Sequence, residues 1–132
     1  MATWEDVRRI ALDLPGTVER PLHGLLAWRV GDKLFAWERP LRSSDLAALG
    51  EDAPEGPILG LRVEHLGAKE ALLADDPAVY FTIPHFDGYA GVLVLLDEIE
   101  VDELREAIVD AWLARAPKRL AKAYLEEHGA GS

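Results

Sequence analysis

The alternation of apolar and polar positions divides the chain into helical and extended segments. Near the amino terminus, apolar residues recur at spacings of three and four, which is the period of an amphipathic helix. Thr3 can cap this helix, with Asp6 three residues later, and Pro15-Gly16 should stop it. The residues predicted to form its apolar face are Trp4, Val7, Ile10, Ala11 and Leu14.

A first hairpin is predicted around Gly31 and Asp32, a two-residue sequence that is typical of tight β-turns. Residues 25–30 and 33–38 flank this turn and are rich in aliphatic and aromatic side chains, which favours strands. The facing pairs expected from a two-residue turn are Trp28 with Phe35 and Leu26 with Trp37.

A second hairpin is predicted over residues 79–96, and we expect its two strands to lie inside the sheet. Val79, Phe81 and Ile83 alternate with other residues at a period of two, which indicates a strand with one buried face. Residues 92–96 are apolar at every position, which favours an interior strand buried on both faces. The turn is assigned to Pro84, which ends the first strand, and to Asp87-Gly88, which accommodates positive φ.

Between the two hairpins, residues 39–57 form a long connection in which Ser44 is expected to cap a short helical turn. Residues 58–63 are predicted as a strand and residues 67–74 as a short helix. The side chains of this helix expected to point inward are Leu66, Ala71 and Leu72 or Leu73.

Two helices are predicted after the second hairpin. Asp102 is expected to cap a long helix whose apolar positions are Leu104, Ile108, Ala111 and Trp112. Pro117 suits the first position of a last helix over residues 118–127, with Leu120 and Tyr124 as its apolar contacts.

This order of elements predicts an α+β fold, with an antiparallel sheet packed on one side by helices. One helix precedes the sheet and two follow it. The length of 132 residues fits a single domain over residues 1–132, with residues 129–132 as a loose tail.

Composition and charge narrow the classes of function. The net charge of −10 disfavours general binding to nucleic acid or anionic lipid, because both draw affinity from positive charge. The chain has no cysteine, which excludes a disulfide framework and is compatible with a cytoplasmic location. No apolar run is long enough to span a bilayer, so we expect no membrane association.

The segment that connects the strands of the second hairpin is the first candidate site. With about six residues it is longer than a tight turn requires, and it concentrates aromatic and titratable side chains. One interpretation is that its aromatic residues plug the end of the core. Another is a surface for a protein or small-molecule partner formed by Trp37, His85, Phe86, Asp87 and Tyr89. A third is an enzyme in which His85 and Asp87 act as an acid/base unit.

A cluster of basic residues near the carboxyl terminus is the second candidate. Arg115, Lys118, Arg119 and Lys122 have spacings that would place them on one helical face if the helix continued through Pro117. They would contact an anion, such as an acidic protein surface or DNA, or neutralise the acidic body of the protein. The scattered histidines predict no metal site, and no cofactor motif is present.

Short motifs that occur together along the chain are Trp4 and Val7 before Leu14-Pro15-Gly16, residues 30–35, residues 81–89, Leu96-Asp97, Ala111-Trp112 and residues 116–120. In combination they resemble the MmcQ/YjbR-like family of small bacterial proteins. The resemblance implies a cytoplasmic protein whose fold is similar to the frataxin-like CyaY domain, and it carries over no catalytic residues. It also implies DNA binding through two hairpins that project like wings, which the acidic Asp32 and Asp87 at their tips disfavour.

The sequence therefore favours a non-enzymatic binding or interaction module. DNA binding and a small-molecule enzyme remain as alternatives, and a homodimer is left open.

Overall fold

The computed structural model describes residues 1–128 and contains one antiparallel sheet of six strands. The strands are β1 (Thr17–Glu19), β2 (Ala27–Val30), β3 (Lys33–Glu38), β4 (Ile58–Arg62), β5 (Tyr80–Phe81) and β6 (Gly91–Leu95). Their order in the sheet is β1-β2-β3-β4-β6-β5. The prediction of a loose tail falls on residues 129–132, which lie outside the described residues.

Five α-helices surround the sheet within residues 1–128, so the predicted α+β class is confirmed. They are α1 (Trp4–Leu12), α2 (Ser43–Leu49), α3 (Leu66–Asp75), α4 (Val101–Arg115) and α5 (Lys118–His128), with 3-10 turns at Gly50–Asp52 and Pro84–Phe86. No helix in residues 1–128 has both the length and the apolar character that a membrane crossing needs.

The larger part of the core lies between the sheet and helices α1 and α4. Helix α1 begins with the predicted capping box, in which Thr3 and Asp6 bond each other's backbone amides. The predicted apolar stripe of α4 is confirmed, because all four of its residues are buried. The central side chains of this cluster are Val7, Ile10, Trp28, Phe35, Leu59, Val92, Ile108 and Trp112.

A smaller cluster covers the opposite face of the sheet. It contains Ala27, Trp37, Ile58, Ile83, Phe86 and Leu93. Leu41 and Leu49, from the long connection before β4, pack against it. Both faces of the central strands are therefore buried, which agrees with the continuous apolar sequence of β6.

The hairpin of β2 and β3 turns at Gly31-Asp32 as predicted. The predicted register is correct for the two residue pairs next to the turn and wrong for the pairs beyond them. A bulge lies between Trp28 and Arg29, so that Trp28 faces Ala36 and Ala27 faces Trp37. The extra residue on β3 is Phe35, which joins the larger cluster. Trp37 then points into the smaller cluster on the other face.

The second hairpin also differs from the prediction in one respect. Strand β6 is an interior strand between β4 and β5, as expected, and Val92, Leu93 and Val94 are fully buried. Strand β5, however, lies at the edge of the sheet and contains only Tyr80–Phe81. The backbone stops pairing with β6 after Phe81, before the 3-10 turn that begins at Pro84, so the strand is shorter than predicted.

Three predictions about individual residues in the helices are wrong: two concern helix caps and one concerns burial in α3. Ser44 lies inside α2, whose amino-terminal amide at Arg42 is bonded instead by the Asp45 carboxylate. Helix α4 begins at Val101, so Asp102 lies in its first turn rather than at the cap. In α3, Leu66 and Ala71 are exposed, and Lys69 is the buried residue.

Glu19 joins β1 to both α1 and the core. Its carboxylate accepts hydrogen bonds from Arg8 at 2.8 and 3.0 Å and from the buried Trp28 indole at 2.9 Å. The Arg8 hydrogen bonds are the main reason that the pKa of Glu19 is lowered, and they outweigh the opposing effect of burial. Because Trp28 is inaccessible to solvent, its N–H has Glu19 as its acceptor in place of water.

Replacing Glu19 by Gln should lower the free energy of unfolding at neutral pH by about 1 kcal/mol, since Arg8 loses a charged partner that is only partly desolvated. A lowered pKa means that this stabilisation exists above the ordinary pKa of glutamate and disappears as the pH falls through the lowered value. Urea unfolding at about pH 6 and about pH 3 should therefore show that the difference between the two proteins shrinks in acid.

The exposed Glu5, which also pairs with Arg8, provides the matched control. Glu5→Gln should change stability by less than Glu19→Gln at neutral pH, because that ion pair is well solvated. Equal effects of the two substitutions would contradict the central role of Glu19.

Gly60 in β4 allows the Trp37 ring to lie directly on the sheet. A Cβ atom at Gly60 would stand 2.5 Å from Cε2 of Trp37, closer than real atoms approach. Gly60→Ala should therefore destabilise the protein by about 1–3 kcal/mol through overpacking. In a Trp37→Leu background the same substitution should cost far less, and a double-mutant cycle in urea measures the difference. An equal cost in both backgrounds would show that the indole does not occupy this position.

Candidate functional site

A groove with an aromatic floor lies over the smaller core cluster. Its volume is about 480 Å³, and three stretches of chain enclose it: residues 22–26, residues 37–42 and the segment 85–89. We call it the aromatic groove. Its lining residues are Leu22, His23, Leu25, Leu26, Leu34, Trp37, Glu38, Arg39, Pro40, Leu41, Arg42, His85, Phe86 and Tyr89.

Three rings form the floor of the aromatic groove. The Trp37 ring lies 6.3 Å from Phe86 and 6.5 Å from Tyr89, measured between ring centres, and Phe86 meets Tyr89 edge to face at 5.2 Å. Trp37 and Phe86 are buried, Tyr89 is partly buried and His85 is exposed. The aromatic residues therefore close the core and also form the floor of a groove.

Lys69 fixes the loop that carries these rings. Its Nζ atom donates to the backbone oxygens of Phe86 at 2.6 Å and Tyr89 at 2.9 Å. Burial lowers the pKa of Lys69, and the negative charge of Asp87 partly opposes this shift. Sequence reasoning missed this residue, because a lysine on a short helix carries no signal that its amine will cap two carbonyls of a distant loop.

A buried ion pair supports the opposite wall. Arg39 donates through Nη1 to Asp45 at 3.1 Å and to the Pro40 oxygen at 2.6 Å, and its guanidinium lies 5.7 Å from the centre of the Phe86 ring. Burial acts to raise the pKa of Asp45, but the Arg42 amide and the Arg39 charge lower it overall. Nη2 of Arg39 has no hydrogen-bond partner within residues 1–128.

The predicted contact surface is brought together only in part. Trp37, His85, Phe86 and Tyr89 all line the aromatic groove, whereas Asp87 does not. Asp87 is exposed and exerts its charge on Lys69 from outside the groove. No hydrogen bond or ion pair within residues 1–128 joins His85 to Asp87, so the geometry gives no support to an acid/base unit.

A second groove lies between α3, α4 and α5, with a volume of about 1300 Å³, and we call it the interhelical groove. Its floor includes Leu61, Val63, Leu72 and Leu113.

Partial burial and the charges of Glu106 and Glu64 raise the pKa of Asp110. Burial and a 2.9 Å hydrogen bond to Glu103 raise the pKa of the Tyr80 phenol. The acids that line this groove are Glu64, Asp75, Asp102, Glu103, Glu106 and Asp110.

The four basic residues near the carboxyl terminus do not share one face. Helix α4 ends at Arg115, and Ala116 is extended (φ −64°, ψ 146°), so Pro117 separates two helices instead of lying within one. Arg115 and Lys118 line the interhelical groove. Arg119 and Lys122 do not, and both are exposed on α5.

No group of three or more histidine, aspartate or glutamate side chains in residues 1–128 has an arrangement suited to a metal ion. His23 and His85 line the aromatic groove, whereas Nδ1 of His65 accepts from the Ala68 amide as the cap of α3. His128 stacks on Tyr124 at 4.2 Å.

Known proteins are similar to this chain in sequence and in fold. The chain is 57% identical over 132 residues to the uncharacterized proteins Rv2570 of Mycobacterium tuberculosis and Mb2600 of Mycobacterium bovis, covering 98% of this chain and all of each relative. The crystal structure of Deinococcus radiodurans protein DR2400, with the family domain DUF419, matches with a TM-score of 0.66 and 22% identity. That match covers 96% of this chain and 88% of the other, and it supports the fold. The sequence model of the YjbR family matches residues 12–114, and the chain therefore belongs to the YjbR family.

Proposed function

We propose that this protein is a non-enzymatic binding module that holds a small organic ligand with a flat, apolar body in the aromatic groove. The observation that carries this proposal is the floor of three adjoining rings, Trp37, Phe86 and Tyr89, at the bottom of a concave surface. Its volume of about 480 Å³ lies within the range of small-molecule sites, roughly 300–1,000 Å³.

The supports beneath the groove favour a preformed site. Lys69 holds the carbonyls of Phe86 and Tyr89, and Arg39 is held against Asp45 on the other wall. A loop and a wall that are fixed before binding lose little conformational entropy when a ligand enters. Such an arrangement is typical of binding sites whose affinity comes from shape and apolar contact.

The polar groups at the groove favour a ligand with an acidic substituent. His23, Arg42 and His85 line the groove, against the single carboxylate of Glu38. That carboxylate already accepts a hydrogen bond from the Leu26 amide. The protein as a whole has a net charge of −10, so a groove in which basic groups outnumber carboxylates differs from the rest of the surface.

DNA binding by projecting hairpins has less support from the geometry. The tip of the β2–β3 hairpin is packed, since a Cβ atom at Gly31 would lie 3.1 Å from Cγ of Pro117. The second tip is tied down by Lys69. These contacts restrain residues beside both hairpin tips, which supports a ligand in the aromatic groove over DNA.

Ligand-observed NMR with a panel of aromatic carboxylic acids and their matched neutral amides tests the proposal. Several acids should bind with dissociation constants of roughly 0.1–1 mM, and each should bind more tightly than its amide. Leu25→Trp should abolish binding, because Leu25 lines the groove without belonging to either core cluster, and a larger ring there fills the space.

Leu12→Trp is the matched control, since Leu12 is 45% exposed on α1 and lies outside the groove. It should leave binding unchanged. A panel in which no compound responds to Leu25→Trp, or in which both variants reduce binding equally, would overturn the assignment of the groove.

A further inference from the structure

Two arginines line the end of the interhelical groove where α4 stops. Arg62, the last residue of β4, donates from Nε to the Ala90 oxygen at 2.9 Å. Its guanidinium lies 4.7 Å from the centre of the Tyr89 ring, so both contacts orient it. Arg115, the last residue of α4, lines the same groove and is partly buried.

One donor of the Arg115 side chain lacks a partner among the described residues. Its Nε atom is buried and has no partner within residues 1–128. No carboxylate of residues 1–128 forms an ion pair with Arg62 or Arg115. Arg62 and Arg115 both line the interhelical groove. Burial lowers the pKa of Arg115, and the positive charge of Arg62 lowers it further.

Such a pair is unexpected in this chain. Acidic residues outnumber lysine and arginine by 24 to 14, so carboxylate partners are plentiful. Two guanidinium groups that line one groove without a counterion repel each other, and partial burial increases the cost. An anion held by both guanidinium groups would offset this repulsion and accept hydrogen bonds from them.

We propose that Arg62 and Arg115, with Lys33 and Lys118 also lining this groove, bind the phosphate group of a small molecule. The flat fork of donors on a guanidinium matches the oxygens of phosphate, and two such forks can hold one group from two directions. Lys33 and Lys118 line the same groove and add two positive charges that suit a dianion. This site is separate from the aromatic groove and does not depend on the function proposed for it.

The acids of the same groove favour a small ligand over a nucleic acid. Glu64, Glu106 and Asp110 line the groove beside these cations. A polyanion that extended along the groove would be repelled by these acids over its length, whereas a single phosphate group would occupy only the part lined by the arginines. Their negative field also weakens binding, so we expect a dissociation constant of roughly 0.1–1 mM.

The alternative role for Arg115 is structural. A cation at the last residue of a helix interacts favourably with its carboxyl-terminal carbonyls. That role does not apply to Arg62, which lies on a strand. The two roles therefore differ in whether Arg62 and Arg115 act together.

An NMR titration of the full chain with inorganic phosphate and with phenyl phosphate, at constant ionic strength, tests the proposal. Both anions should shift the amide signals of Ala90, Ala116 and their neighbours in a saturable manner. Acetate at the same ionic strength should produce no comparable shift. Arg62→Gln and Arg115→Gln should each weaken phosphate binding at least tenfold.

Arg119→Gln is the matched control, because it makes the same change of charge on α5 outside the groove. It should alter the dissociation constant less than twofold. A loss of thermal stability in Arg115→Gln with an unchanged phosphate titration would assign Arg115 the structural role and overturn the proposal. Shifts caused by a short DNA duplex but by neither phosphate compound would overturn it in favour of nucleic acid.

Discussion

The pairing of β4 with β6 is the interaction on which the rest of this structure depends. Five consecutive residue pairs join the two strands, from Ile58 opposite Leu95 to Arg62 opposite Gly91. Both strands are buried on both faces, so each contributes side chains to the larger cluster and to the smaller one. A shift of one residue in this register would exchange the two faces, and the helices on one side would then meet the side chains meant for the aromatic floor.

Two glycines in these strands leave space for aromatic rings to pack directly on the backbone of the sheet. Trp37 lies on Gly60, and the Tyr89 ring lies as closely on Gly91, where a Cβ atom would stand 2.6 Å from its Cε2 atom. Neither glycine is needed for a turn, and neither has positive φ. Their role is to leave space, which brings two large rings down to backbone level and forms a floor from side chains that also complete the core.

The parts of the fold that sequence could predict are those specified by local chemistry. The capping box at Thr3, the turn at Gly31-Asp32 and the uninterrupted apolar run of β6 each act within a few residues, and all three occur in the structure. The interior position of β6 followed from its pattern alone. The edge position of β5 did not, because the apolar alternation of residues 79–83 has the same appearance in an edge strand and in an inner one.

The remaining features depend on distant partners. The bulge beside Trp28 shifts the register of the first hairpin, and nothing in a two-residue turn signals it. Lys69 contacts a loop 17 and 20 residues away, and a lysine is ordinarily assigned to the surface. In the aromatic groove, His85, Phe86 and Tyr89 were foreseen because they cluster in sequence, whereas Arg39 is brought in by the connection after β3.

Tyr89 contacts residues that line the aromatic groove and one residue that lines the interhelical groove. One set joins it to Trp37 and Phe86, and another holds it beneath the guanidinium of Arg62. A ring held from two sides cannot tilt toward one neighbour without changing its distance from the other. If a ligand on one side reorients Tyr89 and thereby changes the affinity for a ligand on the other side, thermodynamic reciprocity requires the second ligand to change the affinity for the first by the same factor. This single phenol ring thus connects the floor of the aromatic groove with Arg62, which lines the interhelical groove.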